Sequence, residues 1–139
     1  MNERAVDVQI NRLRRKIERD PANPLFLQAV RGIAYWEREI DRHSDVLGRV
    51  RTTGDIAKSK KAKRTGMIYG VQDGVAFETD LARLEDLHAL GLRVVQPTYN
   101  RRNLLGDGCL EPANAGLSRT GVTAIERMND LGILVDLSH

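Results

Sequence analysis

Cysteine is nearly absent: Cys109 is the only one in 139 residues. An internal disulfide framework is therefore excluded, and a reducing, cytoplasmic setting fits. Long apolar runs are also missing, which excludes a membrane-spanning helix. The opening stretch from Met1 to Asp7 is charged and polar, with no apolar segment, so no signal peptide is expected. Internal repeats and low-complexity linkers are absent as well.

What is present describes a globular chain. Hydrophobic residues make up 41% and charged residues 29%, enough of both for one domain with a core. The net charge of +3 is unevenly spread. Residues 1–34 carry seven Lys/Arg against four acids, while residues 35–139 carry fifteen of each. The positive excess thus lies wholly in the first quarter, a hint of nucleic acid for that part or simply a solvated basic helix face.

Periodicity divides the chain further. Val6, Ile10, Leu13 and Ile17 recur at helical spacing, so Arg4 to Arg19 reads as an amphipathic helix with Arg12, Arg15 and Arg19 on its wet side. Asp20-Pro21-Ala22-Asn23-Pro24 ends it. Leu25 to Val30 reads as a strand, with Arg31-Gly32 as a turn, and Ala34 to Val46 as a helix. Another helix spans Thr53 to Lys63, with Thr53 as candidate N-cap. The basic run Lys58, Lys60, Lys61, Lys63 and Arg64 reads as its solvated end.

Beyond residue 65 the pattern alternates. Gly66 to Val71 is a strand, Asp80 to Leu90 a helix ended by Gly91, and Leu92 to Gln96 the next strand. Asn100 to Leu117 is a polar loop, Ser118 caps a helix stopped by Gly132, and Ile133 to Asp136 is a further strand. Such alternation predicts βαβ units and a parallel sheet. Cys109 has no histidine in a recognisable partnering context, so a nucleophilic role is not expected. His43 and His88 fall on helices as surface or packing residues.

Glu3 to Glu18, followed by Asp20-Pro21-Ala22-Asn23-Pro24 and Gln28-Ala29-Val30-Arg31-Gly32, resembles the C-terminal end of OmpR/PhoB-type response regulators. There this string is the recognition helix and wing of a winged helix. The resemblance implies DNA-facing positions for Arg4, Gln9, Asn11, Arg12 and Arg14, with Arg31 in the wing. Arginine suits both phosphate and guanine, and a helix fits the major groove.

From about Ile33 the chain resembles the membrane (renal) dipeptidase family. The strings that carry this are Trp36-Glu37-Arg38-Glu39-Ile40, Gly66-Met67-Ile68-Tyr69-Gly70-Val71-Gln72, Leu92 to Asn100, Asn103 to Cys109, Ala115-Gly116-Leu117-Ser118 and Leu131 to His139. The resemblance implies a zinc dipeptidase on a (β/α)8 TIM barrel, with metals and dipeptide substrate at the C-terminal ends of the strands. His139 matches a metal-ligating histidine. Gln72 falls where typical members place a bridging glutamate, and its neutral amide implies at most a mononuclear or altered site. Tyr99 falls where they place a histidine that stabilises the tetrahedral intermediate; a phenol can donate a hydrogen bond there. The family's His-x-Asp ligand pair does not occur in this chain.

The expected architecture is therefore α/β: a partial winged helix over 1–32 joined to a partial barrel segment over 33–139, with the join between residues 27 and 36. The expected activity is dipeptide hydrolysis at family level, without turnover by these residues alone. DNA binding by the front piece and self-association through exposed sheet edges are the two alternatives.

Overall fold

The computed structural model describes Arg12 and residues 14–139. Arg4, Gln9 and Asn11 lie outside the described residues, as does most of the helix expected from Arg4 to Arg19; residues 14–17 are helical. The elements that follow are α1 (Leu25–Arg42), β1 (Leu47–Arg49), α2 (Thr53–Lys61), β2 (Thr65–Met67) and β3 (Tyr69–Val71). A 3-10 turn (Gly74–Ala76), α3 (Arg83–Ala89), β4 (Leu92–Val95), α4 (Arg119–Leu131) and β5 (Leu134–Val135) complete the chain. This is a mixed α/β fold.

All strand pairs are parallel, as the alternating pattern predicts. β1 pairs with β2, and β3–β4–β5 form a second sheet in chain order. The expected strand from Gly66 to Val71 is thus split at Ile68. Its first half pairs with β1 on one side and its second half with β4 on the other, so one extended run serves two sheets. Staggered pairing of this kind is invisible to periodicity, which records only that the run is extended.

The strand expected over Leu25 to Val30 is not there. α1 runs through it, and Arg31 and Gly32 lie inside the helix rather than in a wing turn. Phe26, Ala29, Val30 and Ile33 recur at helical spacing and pack on the core, with Ile40 buried further along. That stripe outweighs the roughly 1 kcal/mol that Gly32 costs inside a helix. The six-residue stretch read alone hid a stripe that spans eighteen residues.

The start of α1 is satisfied from outside the helix. Pro24 at the N-cap offers no side-chain acceptor, and buried Glu18 supplies one. Its carboxylate accepts the N–H groups of Leu27 at 2.6 Å and Phe26 at 3.4 Å. Arg83 fastens the same region: it donates to the carbonyls of Ile17 and Ala76 and lies 4.9 Å from the Phe26 ring centroid. The front segment is thereby packed onto the body formed by the later strands.

The N-cap of α2 lies one residue earlier than expected. Thr52, not Thr53, is the N-cap, because a capping box needs an acid three residues on, and Asp55 stands there. The Thr52 hydroxyl, then the Arg51 and Thr52 N–H groups, hold the Asp55 carboxyl down at about 2. At the other end of the fold, Ser118 caps α4 through Gly121 N–H at 3.0 Å, and Gly132 closes it at φ 70°, both as expected.

The core joins α1, α3, α4 and the second sheet. Phe77, Leu84, Leu87, Leu92, Val95, Leu105 and Met128 are fully buried in it. The junction of the two sheets is held instead by charge. Glu37 on α1 accepts from Arg49 Nε at 2.5 Å, Tyr69 OH at 2.8 Å and Arg51 Nη2 at 3.4 Å. Burial pushes the Glu37 carboxyl up, but the Arg49 and Tyr69 hydrogen bonds and the two arginine charges outweigh it and hold it below its ordinary value. Burial and the Glu37 carboxylate push the Tyr69 phenol up to about 12.

Two outcomes follow. Gly32→Ala should stabilise the protein by about 0.4–1 kcal/mol in urea unfolding, since a Cβ there meets nothing within 4 Å; destabilisation would restore the turn reading. The Tyr69 phenol favours the folded state while protonated. Its contribution is complete below pH 10 and fades as pH rises towards about 12. Thermal melts across that window should fall less steeply for Tyr69→Phe than for the wild type.

Candidate active site

Parallel pairing puts the C-terminal ends of β3, β4 and β5 on one edge. Val71 is in register with Val95, and Val95 with Val135. The residues that follow, Gln72, Gln96 and Asp136, therefore emerge side by side. The ladder continues one step beyond the strands: Gln96 N–H donates to Val71 O at 2.9 Å, and Asp136 N–H to Val95 O at 2.8 Å. Gln72, Gln96, Asp136, Ser138 and His139 line a cleft of about 280 Å³ there. A larger cavity of about 460 Å³, lined by Val50, Ile56, Ile68, Leu134 and others, contains none of them.

Gln96 organises this edge. It is 3% exposed, and with its amide turned to satisfy both neighbours it donates to the Gln72 carbonyl at 3.0 Å and accepts the His139 N–H at 2.8 Å. One buried side chain thus links the chain after β3 to the chain after β5. Asp136 shapes the last turn, accepting from Ser138 N–H at 2.9 Å and from the Ser138 hydroxyl. Those two hydrogen bonds, helped by His139, hold the Asp136 carboxyl below the usual range.

The sequence-predicted site residues meet in part. The Tyr99 and His139 rings lie 4.3 Å apart between centroids, at 48°. The Gln72 and His139 side chains are exposed at the same cleft. Cys109, which shows no histidine partner in the sequence, has a histidine neighbour in space: its Sγ lies 3.2 Å from His139 Nδ1, although thirty residues separate them. The loop after β4 and the chain after β5 leave neighbouring strand ends, so a spacing that looks remote in sequence closes in space. His43, at the end of α1, and His88, on α3, stand away from the cleft, as expected.

The polar loop from Asn100 to Leu117 is firmly anchored. Leu105 plugs the core, and its carbonyl accepts Ser118 N–H at 2.8 Å. Gly121 makes room for it: a Cβ there would clash with Leu105 O. Asn103 donates to Asp73 and to Pro97 O, both at 2.8 Å, and accepts from Leu105 N–H at 2.7 Å. Asp107 accepts from Arg102 Nε at 2.6 Å and Ala115 N–H at 2.7 Å. Asn103 and Asp107 therefore build the loop rather than face the cleft. Pro97 sits just past β4, where the missing N–H breaks no ladder.

A closed zinc site does not fit these residues. Zinc wants about three protein ligands. Among the described residues no group of three or more His, Cys, Asp or Glu side chains could hold a metal ion. The Asp136 carboxylate is committed to Ser138, and Gln72 is neutral.

The fold defines a class, α/β proteins with parallel strands and a polar cleft beyond the strands' C-terminal ends. Comparison with known proteins narrows it. A profile of the family described as membrane dipeptidase (peptidase family M19) matches residues 12–139, and the chain belongs to that family. Dipeptidase verJ of Clonostachys rogersoniana is 32% identical over 102 residues, covering 72% of this chain and 26% of that protein. The crystal structure of an amidohydrolase from Pseudomonas aeruginosa matches with a TM-score of 0.76 at 41% identity, covering 79% of this chain and 34% of that one. This chain therefore spans about a quarter to a third of these relatives. Protein PetR of Rhodobacter capsulatus is 70% identical over 33 residues, 24% of this chain and 14% of that protein. The family match begins upstream of residue 33, and residues 32 and 33 both lie within α1.

Gln96 is the site residue that the sequence reading passed over. Its signal was a polar side chain directly after the apolar pair Val94-Val95. Gln96→Ala should lower stability by about 1–3 kcal/mol in urea unfolding, since it removes buried hydrogen bonds. Gln72→Ala, which leaves the accepting carbonyl in place, should stay within about 0.5 kcal/mol. Equal effects would remove Gln96 as the organiser of the edge.

Proposed function

We propose that these residues form one arc of a (β/α)8 barrel dipeptidase, and that the cleft beyond β3, β4 and β5 is part of its active site. The observation that carries this is the convergence of Gln72, Tyr99 and His139 on one edge of a parallel sheet, in a chain of the membrane dipeptidase family. In this reading His139 is a metal ligand. In the same reading Tyr99, whose ring lies against that of His139, donates a hydrogen bond to a developing oxyanion. Gln72 stands on the opposite side of Gln96 and contributes an uncharged amide. Zinc and a dipeptide are the cofactor and substrate class. The described residues supply too few ligands for turnover on their own.

A second reading concerns the front segment. Its resemblance to OmpR/PhoB-type regulators and its positive excess favour DNA binding, and the match to Protein PetR has the length of that segment. Arg12 is exposed, and so is Arg31, on α1. Arg14 is half-buried, with an Nε that lacks a hydrogen-bond partner among the described residues. The helical course of residues 25–30 and the hold of Arg83 on Ile17 weigh against a free wing. Self-association through the open sides of β1 and β5 is a third reading, and would give a discrete assembly in light scattering.

The purified chain with added zinc should hydrolyse no dipeptide above a His139→Ala control. Exchanged for the corresponding segment of a complete family dipeptidase, residues 25–139 should support hydrolysis. His139→Ala should then cost more than the roughly 10–100-fold lost with outer-shell partners. Activity retained in that variant would overturn the role given to His139. For the front segment, DNA binding should depend on salt and vanish with Arg12→Ala and Arg14→Ala; no binding at low salt would remove that reading.

A further inference from the structure

The cavity of about 460 Å³ lies away from the candidate active site, towards the starts of β4 and β5. His88 near the end of α3, Arg93 in β4 and Gly132 just ahead of β5 border it, and the N-terminus of α2 closes one side. Among the described residues it shares Val94 with the strand-end cleft and nothing else. Most of its wall is apolar. Ile56, Ile68 and Leu134 line it and are 49%, 48% and 66% exposed, so these side chains converge on open space rather than on the core.

The charge around this cavity is of one sign. Arg51, Arg93 and His88 line it, and no Asp or Glu among the described residues does. Arg93 is fixed without being neutralised. Its Nε donates to Arg51 O at 2.8 Å, and its Nη1 to His88 O at 2.9 Å and Leu92 O at 2.7 Å. Those carbonyls hold the guanidinium still but carry no net charge. Arg51 reaches Glu37 at 3.4 Å, a carboxylate that Arg49 holds more closely at 2.5 Å. Burial, then the Arg51 charge, lowers the Arg93 guanidinium below its ordinary value; burial, then the Arg93 charge, does the same to His88. Two guanidiniums thus repel across a partly buried site whose lining offers them no counter-ion.

We propose that this cavity binds a small amphipathic anion, an apolar chain ending in a carboxylate, at the end of the sheet opposite the candidate active site. The apolar chain lies against Ile56, Ile68 and Leu134, and the carboxylate supplies the counter-ion that Arg51 and Arg93 lack. The volume falls in the range of small-molecule sites, about 300–1,000 Å³, which share a mainly apolar lining with a few convergent polar groups. Guanidinium is planar and weakly hydrated, and it matches a carboxylate with two parallel hydrogen bonds. Both halves of the ligand are needed. A bare anion gains little from arginines that remain in contact with water, and a neutral chain leaves the two guanidiniums unopposed. The proposal does not depend on the dipeptidase reading or on the role of His139.

The test is isothermal titration calorimetry of the full chain with octanoate, octanol and acetate. The expected result is one octanoate per chain, with octanol and acetate each at least about tenfold weaker. Arg51→Met removes a charge and keeps an apolar stem; Ile56→Asp sets a carboxylate on the apolar wall. Each should weaken octanoate about tenfold or more, with circular dichroism melts showing that each is folded. Ile56→Asp leaves the Glu37 cluster untouched, so it carries the test if Arg51→Met does not fold. In proton NMR, octanoate should move the His88 ring resonances and leave those of His139 in place. Octanol binding as tightly as octanoate would make the cavity apolar only, and acetate binding as tightly would make it a surface anion site only; either overturns the proposal. Unchanged affinity in both variants, or shifts at His139 instead of His88, would place the ligand elsewhere and overturn it. So would the absence of octanoate binding, including the case in which light scattering shows a second copy of the chain covering the cavity.

Discussion

Three valines in register, Val71, Val95 and Val135, set the geometry on which everything at the candidate site depends. Because their strands are parallel, the residue after each valine emerges at the same edge. Parallel strands need crossovers, and α3 and α4 supply them. Those helices bury Leu84, Leu87, Ala124 and Met128 against the sheet, so hydrophobic packing fixes the register that the polar edge then uses. A one-residue slip of β5 would turn its side chains to the other face and part His139 from Gln96.

The edge itself is held by hydrogen bonds rather than packing. Gln96 spans the chain segments after β3 and β5, and Asp136 turns the last residues back on themselves. Leu105 does similar work for the loop, as an apolar plug beneath a polar surface. Its hold brings Cys109 to His139 across thirty residues. Away from this edge, the Glu37 cluster joins α1 to both sheets with charges instead of a core. The cleft is therefore a polar construction resting on an apolar one.

Much of this was legible beforehand where local chemistry decides. Ser118 and Gly132 delimit α4 because a hydroxyl and a left-handed glycine act on their own neighbours. The βαβ alternation, the strand-end positions of Gln72, Tyr99 and His139, and the family strings were equally local. The α1 region failed for a physical reason. Leu25 to Val30 is apolar enough for either structure, and only its continuation through Ile33 to Ile40 makes the helical stripe. Thr52 rather than Thr53 caps α2 because the Asp55 carboxylate reaches back to the Thr52 N–H. The winged-helix reading carried the strand with it, and the helix displaced both the strand and the turn at Arg31-Gly32.

The amino-acid sequence by itself determined the family, the parallel α/β plan and the residues at the strand ends. Each is written in short-range pattern: helical stripes, caps, glycine stops, and strings such as Leu131 to His139. Tertiary structure decided the rest. It split one extended run between two sheets at Ile68, buried Gln96 as a link between segments, docked the front residues through Arg83, and set Cys109 beside His139. Those contacts join residues far apart in the chain. Nothing in the local pattern of either partner specifies which distant group will face it once the core has closed.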